Sequence, residues 1–186
     1  PVDVSLDGWF RIVDWQYSLD PLSSDGSLLQ GGRFNTGRDL DPTQFPTFRA
    51  LYLAEDYATA YREKFGGPAV ASRDRLSGAD LALRTERSFT AVRLRGLATG
   101  LFDASLMASY SGLARVLRGF RVSAELDRLA RRIGRKPPLV ATTAAQIRRQ
   151  ILLPEWRRMP AQYELPANSQ TLARWLIDAG FSGVVY

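Results

Sequence analysis

Three side chains between residues 31 and 63 have the chemistry to hold and cleave an anionic small molecule: Arg33, Tyr52 and Glu63. The planar guanidinium of Arg33 suits bidentate contact with phosphate or carboxylate, and the flanking glycines let a ligand approach the backbone. The ring of Tyr52 can stack on a base or another flat ring. The carboxylate of Glu63 can hold a ribose hydroxyl and stabilise an oxocarbenium-like transition state, as in glycoside cleavage. These residues predict a pocket for an anionic ligand that carries an aromatic ring.

The same three residues also fit ordinary structural roles. Arg33 fits a surface arginine in a glycine turn, Tyr52 a core tyrosine and Glu63 a solvated helix carboxylate. No Lys-Ser/Thr follows the glycines, and no Gly-x-Gly-x-x-Gly occurs, so nucleotide-binding loops of those two kinds are excluded.

The composition narrows the available chemistry further. The chain has no Cys and no His, which excludes disulfides, thiolate nucleophiles, Ser-His-Asp triads, histidine bases and His- or Cys-ligated zinc. No metal is therefore expected, and carboxylates, Arg, Tyr, Ser, Thr or Lys must carry any reaction. Of the 25 basic residues 23 are Arg, a bias that a GC-rich genome explains.

Charge is divided unevenly along the chain. Residues 1–66 carry 6 basic and 10 acidic side chains, whereas residues 67–186 carry 19 basic and 9 acidic ones. The basic portion favours an alternative function, a nucleic-acid-binding module, whose affinity would fall steeply with salt. No known nucleic-acid-binding motif occurs in the sequence, however, and a solvated Arg-rich helical face explains the same charge, so the charge alone does not decide between the two.

The residues with chemistry are placed by alternating strands and helices. We predict strands at 9–15, 49–54, 88–95, 97–103 and 182–186, and helices at 55–65, 104–119, 122–133, 144–153 and 170–179, with a weak helical pattern at 76–84. Thr142 or Thr143 should cap the fourth helix, and Pro154 and Pro160 should break the pattern after it. The absence of a regular βαβ repeat favours the α+β class.

The opening residues do not form a signal peptide, and no run of about 18 apolar residues occurs, so neither a transmembrane helix nor membrane binding is expected. We therefore expect a cytoplasmic protein. The chain begins without Met, which is consistent with processing or a longer parent protein.

Three motifs together resemble the RES domain, a family named for an Arg, a Glu and a Ser. They are Gly31-Gly32-Arg33-Phe34-Asn35-x-Gly37, then Tyr52-Leu53-Ala54-Glu55, then Ala60-x-x-Glu63. Residues 101–103 and 179–186 are similar to the family's internal and closing strands. The resemblance spans roughly 10–186 and is looser through 67–165.

The resemblance implies a fold and a function. It implies one RES-like domain over 1–186, with an ADP-ribosyltransferase-like mixed or split β-sheet core, peripheral helices and an Arg-rich helical insertion around 104–160. It implies a toxin of a bacterial toxin–antitoxin pair that consumes NAD as a glycohydrolase, a phosphorylase or an ADP-ribosyltransferase. The implied partners are NAD as substrate, an antitoxin protein and, for a transferase, a protein acceptor.

Carried over residue by residue, the resemblance assigns Arg33, Tyr52 and Glu63 to catalysis. It assigns Arg11, Arg33, Asn35 and Tyr52 to NAD binding.

The family's Ser follows the closing strand, beyond Tyr186, and Ser182 precedes that place. The Ser therefore lies outside the given residues, or this member works without it. A further alternative is an inactive RES-like interaction protein that keeps the fold without the chemistry.

Overall fold

The computed structural model describes residues 1–65, 88–136 and 139–186. The described chain is a mixed α/β domain with two small sheets and several helices. The strands are β1 (Val2–Ser5), β2 (Phe10–Asp14), β3 (Phe89–Arg93), β4 (Leu97–Asp103) and β5 (Gly183–Val185). The α-helices are α1 (Gly26–Leu29), α2 (Tyr57–Phe65), α3 (Ser111–Arg118), α4 (Ala124–Arg132), α5 (Ala144–Ile151), α6 (Arg158–Tyr163) and α7 (Asn168–Asp178), with short 3-10 turns at Trp15–Tyr17 and Met107–Tyr110.

The antiparallel strand pairs of the two sheets follow one another along the same two segments of the chain. β1 pairs with β4 and β2 pairs with β3, so the first 14 residues run against residues 89–103. Backbone bonds from Leu6 to Gly96 and from Leu94 to Trp9 continue the pairing where the strands bend. β5 adds to the other edge of β4 in parallel, which brings the end of the chain beside the centre of this sheet.

The main hydrophobic core lies between this sheet and the C-terminal helices. It contains buried side chains from β4, from the helices after it and from the segment before α2: Phe34, Phe102, Ala104, Tyr110, Ala114, Ile147, Ile151, Leu172, Ala173 and Leu176. The predicted helical region 104–160 thus contributes directly to the core. A smaller cluster of Ile12, Ala54 and Ala60 fastens α2 to β2. Burial of these apolar side chains supplies most of the favourable free energy of folding.

Most of the predicted elements are confirmed within a few residues. The strands at 9–15, 88–95, 97–103 and 182–186 match β2, β3, β4 and β5, and the helices at 55–65, 122–133, 144–153 and 170–179 match α2, α4, α5 and α7. Thr143 caps α5: its hydroxyl accepts from the N–H of Gln146, whose side chain accepts in return from the N–H of Thr143. The weak helical pattern at 76–84 lies outside the described residues.

Three predictions of local structure need correction, and one strand was missed. The strand at 49–54 is wrong: only Ala54 forms a bridge, with Phe10, and the Ala50 N–H is bonded to the Ser27 hydroxyl. The helix at 104–119 begins later, because Asp103 accepts from the N–H groups of residues 105 and 106 and holds a turn there. Strand β1 was not predicted.

Finally, Pro160 does not prevent a helix, because it lies in the first turn of α6, where its missing N–H has no helical partner.

Candidate functional site

The glycine loop, residues 31–37, folds back tightly on itself. The Gly31 N–H donates to the Asp39 carboxylate at 2.7 Å, and the Gly32 N–H donates to the Asn35 side-chain oxygen at 2.9 Å. A Cβ on Gly31 would lie 2.9 Å from the carbonyl oxygen of residue 35, closer than real contacts allow. The loop therefore requires glycine, and its shape directs the next side chain, Arg33, outward.

Tyr52 is packed directly over this loop. Its hydroxyl accepts from the Phe34 N–H at 2.9 Å and donates to the Asn35 side-chain oxygen at 2.9 Å. A Cβ on Gly32 would lie 2.6 Å from Cζ of Tyr52. The tyrosine ring thus occupies the space that only a glycine leaves free, and its hydroxyl fixes the backbone on both sides of Arg33.

Gln170 supports the loop from the opposite side. This residue of α7 is 1% exposed, and its side-chain nitrogen donates to the carbonyl oxygens of Gly32 and Asn35, each at 2.9 Å. Its side-chain oxygen accepts from the Ala167 N–H at 2.8 Å. The side-chain nitrogen and oxygen of this buried amide both make their hydrogen bonds within the protein. Gln170 therefore links the last helix to the loop that carries Arg33.

Arg33 is held in place with most of its donors available. One guanidinium nitrogen donates to the Leu153 carbonyl oxygen at 3.0 Å, and the guanidinium carbon lies 5.8 Å from the centre of the Tyr186 ring. Within residues 1–65, 88–136 and 139–186, no carboxylate lies within 4 Å of this guanidinium. Because arginine has five N–H donors, Arg33 can bind an anion bidentately while it keeps its contact with Leu153.

Glu63 lies on the same cleft as Arg33. The cleft has a volume of about 560 Å³, and we name it the Arg33–Glu63 cleft. Ala60, Glu63 and Lys64 form one side of α2 and face it, whereas Tyr61 packs on Phe65 elsewhere on that helix. Tyr52 and Tyr186 also line it. A cleft of this size is in the range of about 300–1,000 Å³ typical of small-molecule sites.

Basic side chains dominate the charge of the cleft. Arg11, Arg33, Lys64 and Arg157 line it, and among the described residues that line it the only carboxylates are those of Asp14 and Glu63. Asp14 is already paired with Lys64 at 3.1 Å. The excess of positive charge favours an anionic ligand.

Two of the tyrosines that line the cleft, Tyr52 and Tyr186, are neutral near pH 7. Burial raises the pKa of the Tyr52 phenol, and the hydrogen bond from the Phe34 N–H opposes part of this rise. The pKa of Tyr186 is raised to about 12, mainly by burial and also by the negative charge of Glu63, whereas Arg33 opposes the rise. Glu63 and Arg33 thus act electrostatically on the same two phenols. Both hydroxyls are suited to donate hydrogen bonds, and neither is suited to act as a base.

Comparison with known families decides the identity of this domain. The family model described as the RES domain matches residues 9–186. The chain belongs to the RES domain family. This family is associated with enzymes that act on NAD and with toxin–antitoxin systems. Neither the search of curated proteins nor that of solved structures gave a match, so the ADP-ribosyltransferase-like fold stays a prediction.

The structure brings together four of the five residues that we had assigned to the RES site. Arg11, Arg33, Tyr52 and Glu63 all line the cleft. Arg11 uses its guanidinium to bond the carbonyl oxygens of residues 21 and 23 at 2.7 and 2.8 Å, so it fastens the loop after β2. Burial lowers the pKa of Arg11 below its ordinary value.

Asn35, the fifth of these residues, is 0% exposed and does not line the cleft. Its amide nitrogen bonds the carbonyl oxygen of Ser27 at 2.8 Å, and its oxygen binds Gly32 and Tyr52. In this RES domain Asn35 therefore organises the glycine loop from beneath, and its role in NAD binding stays a prediction.

Several residues of the cleft were not identified from the sequence. Tyr186 reaches it because β5 pairs with β4, and its ring packs on Phe34 at 4.8 Å. Trp156 and Arg157 reach it from the connection between α5 and α6. The sequence placed Gln170 only at the start of the predicted last helix. Nothing in the sequence predicted its contact with residues 32 and 35.

Three further findings describe the RES domain as a whole. No helix among the described residues is long and apolar enough to cross a membrane. In the same residues, no group of three or more Asp, Glu, His or Cys side chains lies together. Residues 111–136 carry eight basic and two acidic side chains. The net charge of this segment is therefore +6, equal to the net charge of the whole chain. Nucleic-acid binding by this region stays a prediction.

Proposed function

We propose that this RES domain binds NAD in the Arg33–Glu63 cleft and breaks the bond between nicotinamide and ribose. The observation that carries the proposal is that a free guanidinium, a carboxylate and two neutral tyrosines line one cleft of about 560 Å³. The family association with NAD supports the choice of this dinucleotide.

Arg33 binds the diphosphate in this proposal. Each phosphate of NAD carries one negative charge, and a planar guanidinium with several available N–H groups can contact both phosphates or two oxygens of one. Arg11 and Arg157 add positive charge without a direct carboxylate partner within 4 Å in the described residues.

Glu63 acts at the ribose. The bond between the ribose C1′ and the nicotinamide nitrogen breaks, and its electron pair stays on nicotinamide, which leaves as a neutral molecule. The positive charge passes to the ribose as an oxocarbenium ion, which the Glu63 carboxylate stabilises electrostatically. Because the leaving group is neutral, this step needs no general acid.

An acceptor then completes the reaction. Water, phosphate or a protein side chain attacks C1′ and loses one proton, which gives ADP-ribose, ADP-ribose 1″-phosphate or an ADP-ribosylated protein respectively. Tyr52 positions the loop and Tyr186 offers a flat surface for a ring, and both remain protonated throughout. We further propose a toxic role in the cell and an antitoxin partner, on the family association alone.

The test is release of free nicotinamide from NAD by the purified protein. We expect Arg33→Ala and Glu63→Gln to lower kcat/KM by about 100-fold or more, the scale seen when a single electrostatic group is removed from an active site. The matched controls are Arg38→Ala and Glu55→Gln, which change exposed side chains outside the cleft. They should retain wild-type turnover.

The outcomes separate the competing functions. Free ADP-ribose identifies a glycohydrolase, phosphate-dependent turnover a phosphorylase, and a labelled protein a transferase. Equal turnover in the Arg33, Glu63 and control variants would refute the site. A wild-type protein that binds NAD without releasing nicotinamide would instead identify an inactive RES-like protein.

A further inference from the structure

Trp156 and Arg157 form a flat, cationic wall on the Arg33–Glu63 cleft. The guanidinium carbon of Arg157 lies 4.8 Å from the centre of the Trp156 ring, a cation–π contact. Trp156 is half-buried and Arg157 is exposed. Neither residue contributes to the bond-breaking step described above.

The segment that carries this wall is hydrogen-bonded to Arg33. The carbonyl oxygen of Leu153, three residues before Trp156, accepts the hydrogen bond from the Arg33 guanidinium. Arg33 also lies over the Tyr186 ring. Arg33 therefore contacts both Tyr186 and the segment that carries Trp156, and Glu63 lines the same cleft.

In NAD the diphosphate lies in the middle of the molecule and joins the nicotinamide ribose to adenosine. If Glu63 acts on the nicotinamide ribose and Arg33 binds the diphosphate, then the aromatic surface that lines the same cleft next to Leu153, the partner of Arg33, is available to adenosine. We propose that Trp156, together with Arg157, is the binding site for the adenine ring, an inference that rests on the proposed function.

The chemistry of the pair suits a purine. A base stacks well on an indole or on a guanidinium plane, and such stacking contributes about 1–3 kcal/mol per base. Stacking accepts any base, so the pair would bind adenine by its flat surface without reading its edge. It therefore increases affinity for a dinucleotide over a mononucleotide and leaves the reaction itself unchanged.

The test compares two substrates, NAD and nicotinamide mononucleotide, which lacks the adenylate half. Trp156→Ala should raise KM for NAD about tenfold, the equivalent of about 1.4 kcal/mol of lost stacking, and should leave kcat/KM for the mononucleotide unchanged. Trp156→Phe should recover most of the affinity because it keeps an aromatic surface. Trp175→Ala is the matched control, since Trp175 is 49% exposed and lies outside the cleft.

Calorimetric binding of ADP-ribose separates this inference from the proposed reaction. If wild type binds ADP-ribose about tenfold more tightly than Trp156→Ala but releases no nicotinamide, the adenine site is correct and the reaction is not. Equal affinity in the two proteins would overturn the adenine site. An equal loss of kcat/KM for both substrates would also overturn it, because Trp156 would then act only through the fold.

Discussion

The Tyr52 hydroxyl offers the sharpest test of how the glycine loop is held, through Tyr52→Phe. The hydroxyl accepts from the Phe34 N–H and donates to the Asn35 side-chain oxygen. The Asn35 oxygen keeps its bond from Gly32, but the Phe34 N–H loses its partner. Because Phe34 is only 7% exposed, the variant carries the cost of a buried unpaired donor as well as a lost hydrogen bond.

The expected loss of stability follows from these two terms. An unpaired buried donor costs about 1–3 kcal/mol and a lost hydrogen bond about 0.5–1.5 kcal/mol, so we expect about 1.5–4.5 kcal/mol in total. For a chain of this size that corresponds to a Tm decrease of roughly 3–18 °C. A loop displaced by about 1 Å should also lower kcat about 10- to 100-fold through misplacement of Arg33.

The assays are thermal unfolding and nicotinamide release, measured across pH. The pH profile of the variant should keep the wild-type shape, because burial keeps Tyr52 protonated in the working range. Tyr61→Phe is the matched control, since that tyrosine is 42% exposed and lies outside the cleft. A variant of wild-type stability that has lost turnover would refute the positioning role and point to direct chemistry by the hydroxyl. Unchanged stability and turnover would show that the hydroxyl does not organise the loop.

Three further predictions concern the same framework. Gln170→Glu replaces the donor to two carbonyl oxygens with a carboxylate, so urea unfolding should show a free energy of unfolding lower by about 2–4 kcal/mol. An unfolding curve identical to that of the wild type would contradict the role of Gln170 in supporting the glycine loop. Gly32→Ala should be inactive and less stable by about 1–3 kcal/mol because its Cβ meets the Tyr52 ring, whereas Gly112→Ala, with open space at its Cβ, should remain active in the same assays. The folded-state pKa of Tyr186 is raised to about 12 from 10.0, so the stability that the neutral phenol contributes is complete below pH 10 and is lost as the pH rises through 12. The urea midpoint of the wild type should therefore fall between pH 10 and pH 12, and that of Tyr186→Phe should fall less steeply.

The sequence predicted the elements that have a strong local signal. The apolar period of α2 and α7, the Thr143 cap and the alternation of β3 all depend on neighbours within a few residues, so they could be recognised without tertiary contacts. The family motifs likewise lie within one stretch, which is why Arg33, Tyr52 and Glu63 could be selected together.

Residues 49–54 show where local signal fails. Their β-like composition predicted a strand, but a strand also needs a partner along its length, and only Ala54 finds one. Tyr52 still reaches the glycine loop, because its hydroxyl and the small size of Gly32 fix it there. The predicted site residue was therefore correctly placed on the cleft although its predicted element was wrong.

The sequence by itself determined the available chemistry: without His or Cys, a reaction here must depend on Arg, Tyr, Ser, Thr, Lys or carboxylate groups. Only the tertiary structure decided which of these groups meet. Tyr186 enters the cleft through strand pairing and Trp156 through its connection to Arg33. Gln170 supports the glycine loop through contacts with residues more than 130 positions earlier. Such contacts join distant parts of the chain, and they arise from the packing of the whole core rather than from any pattern that neighbouring residues share.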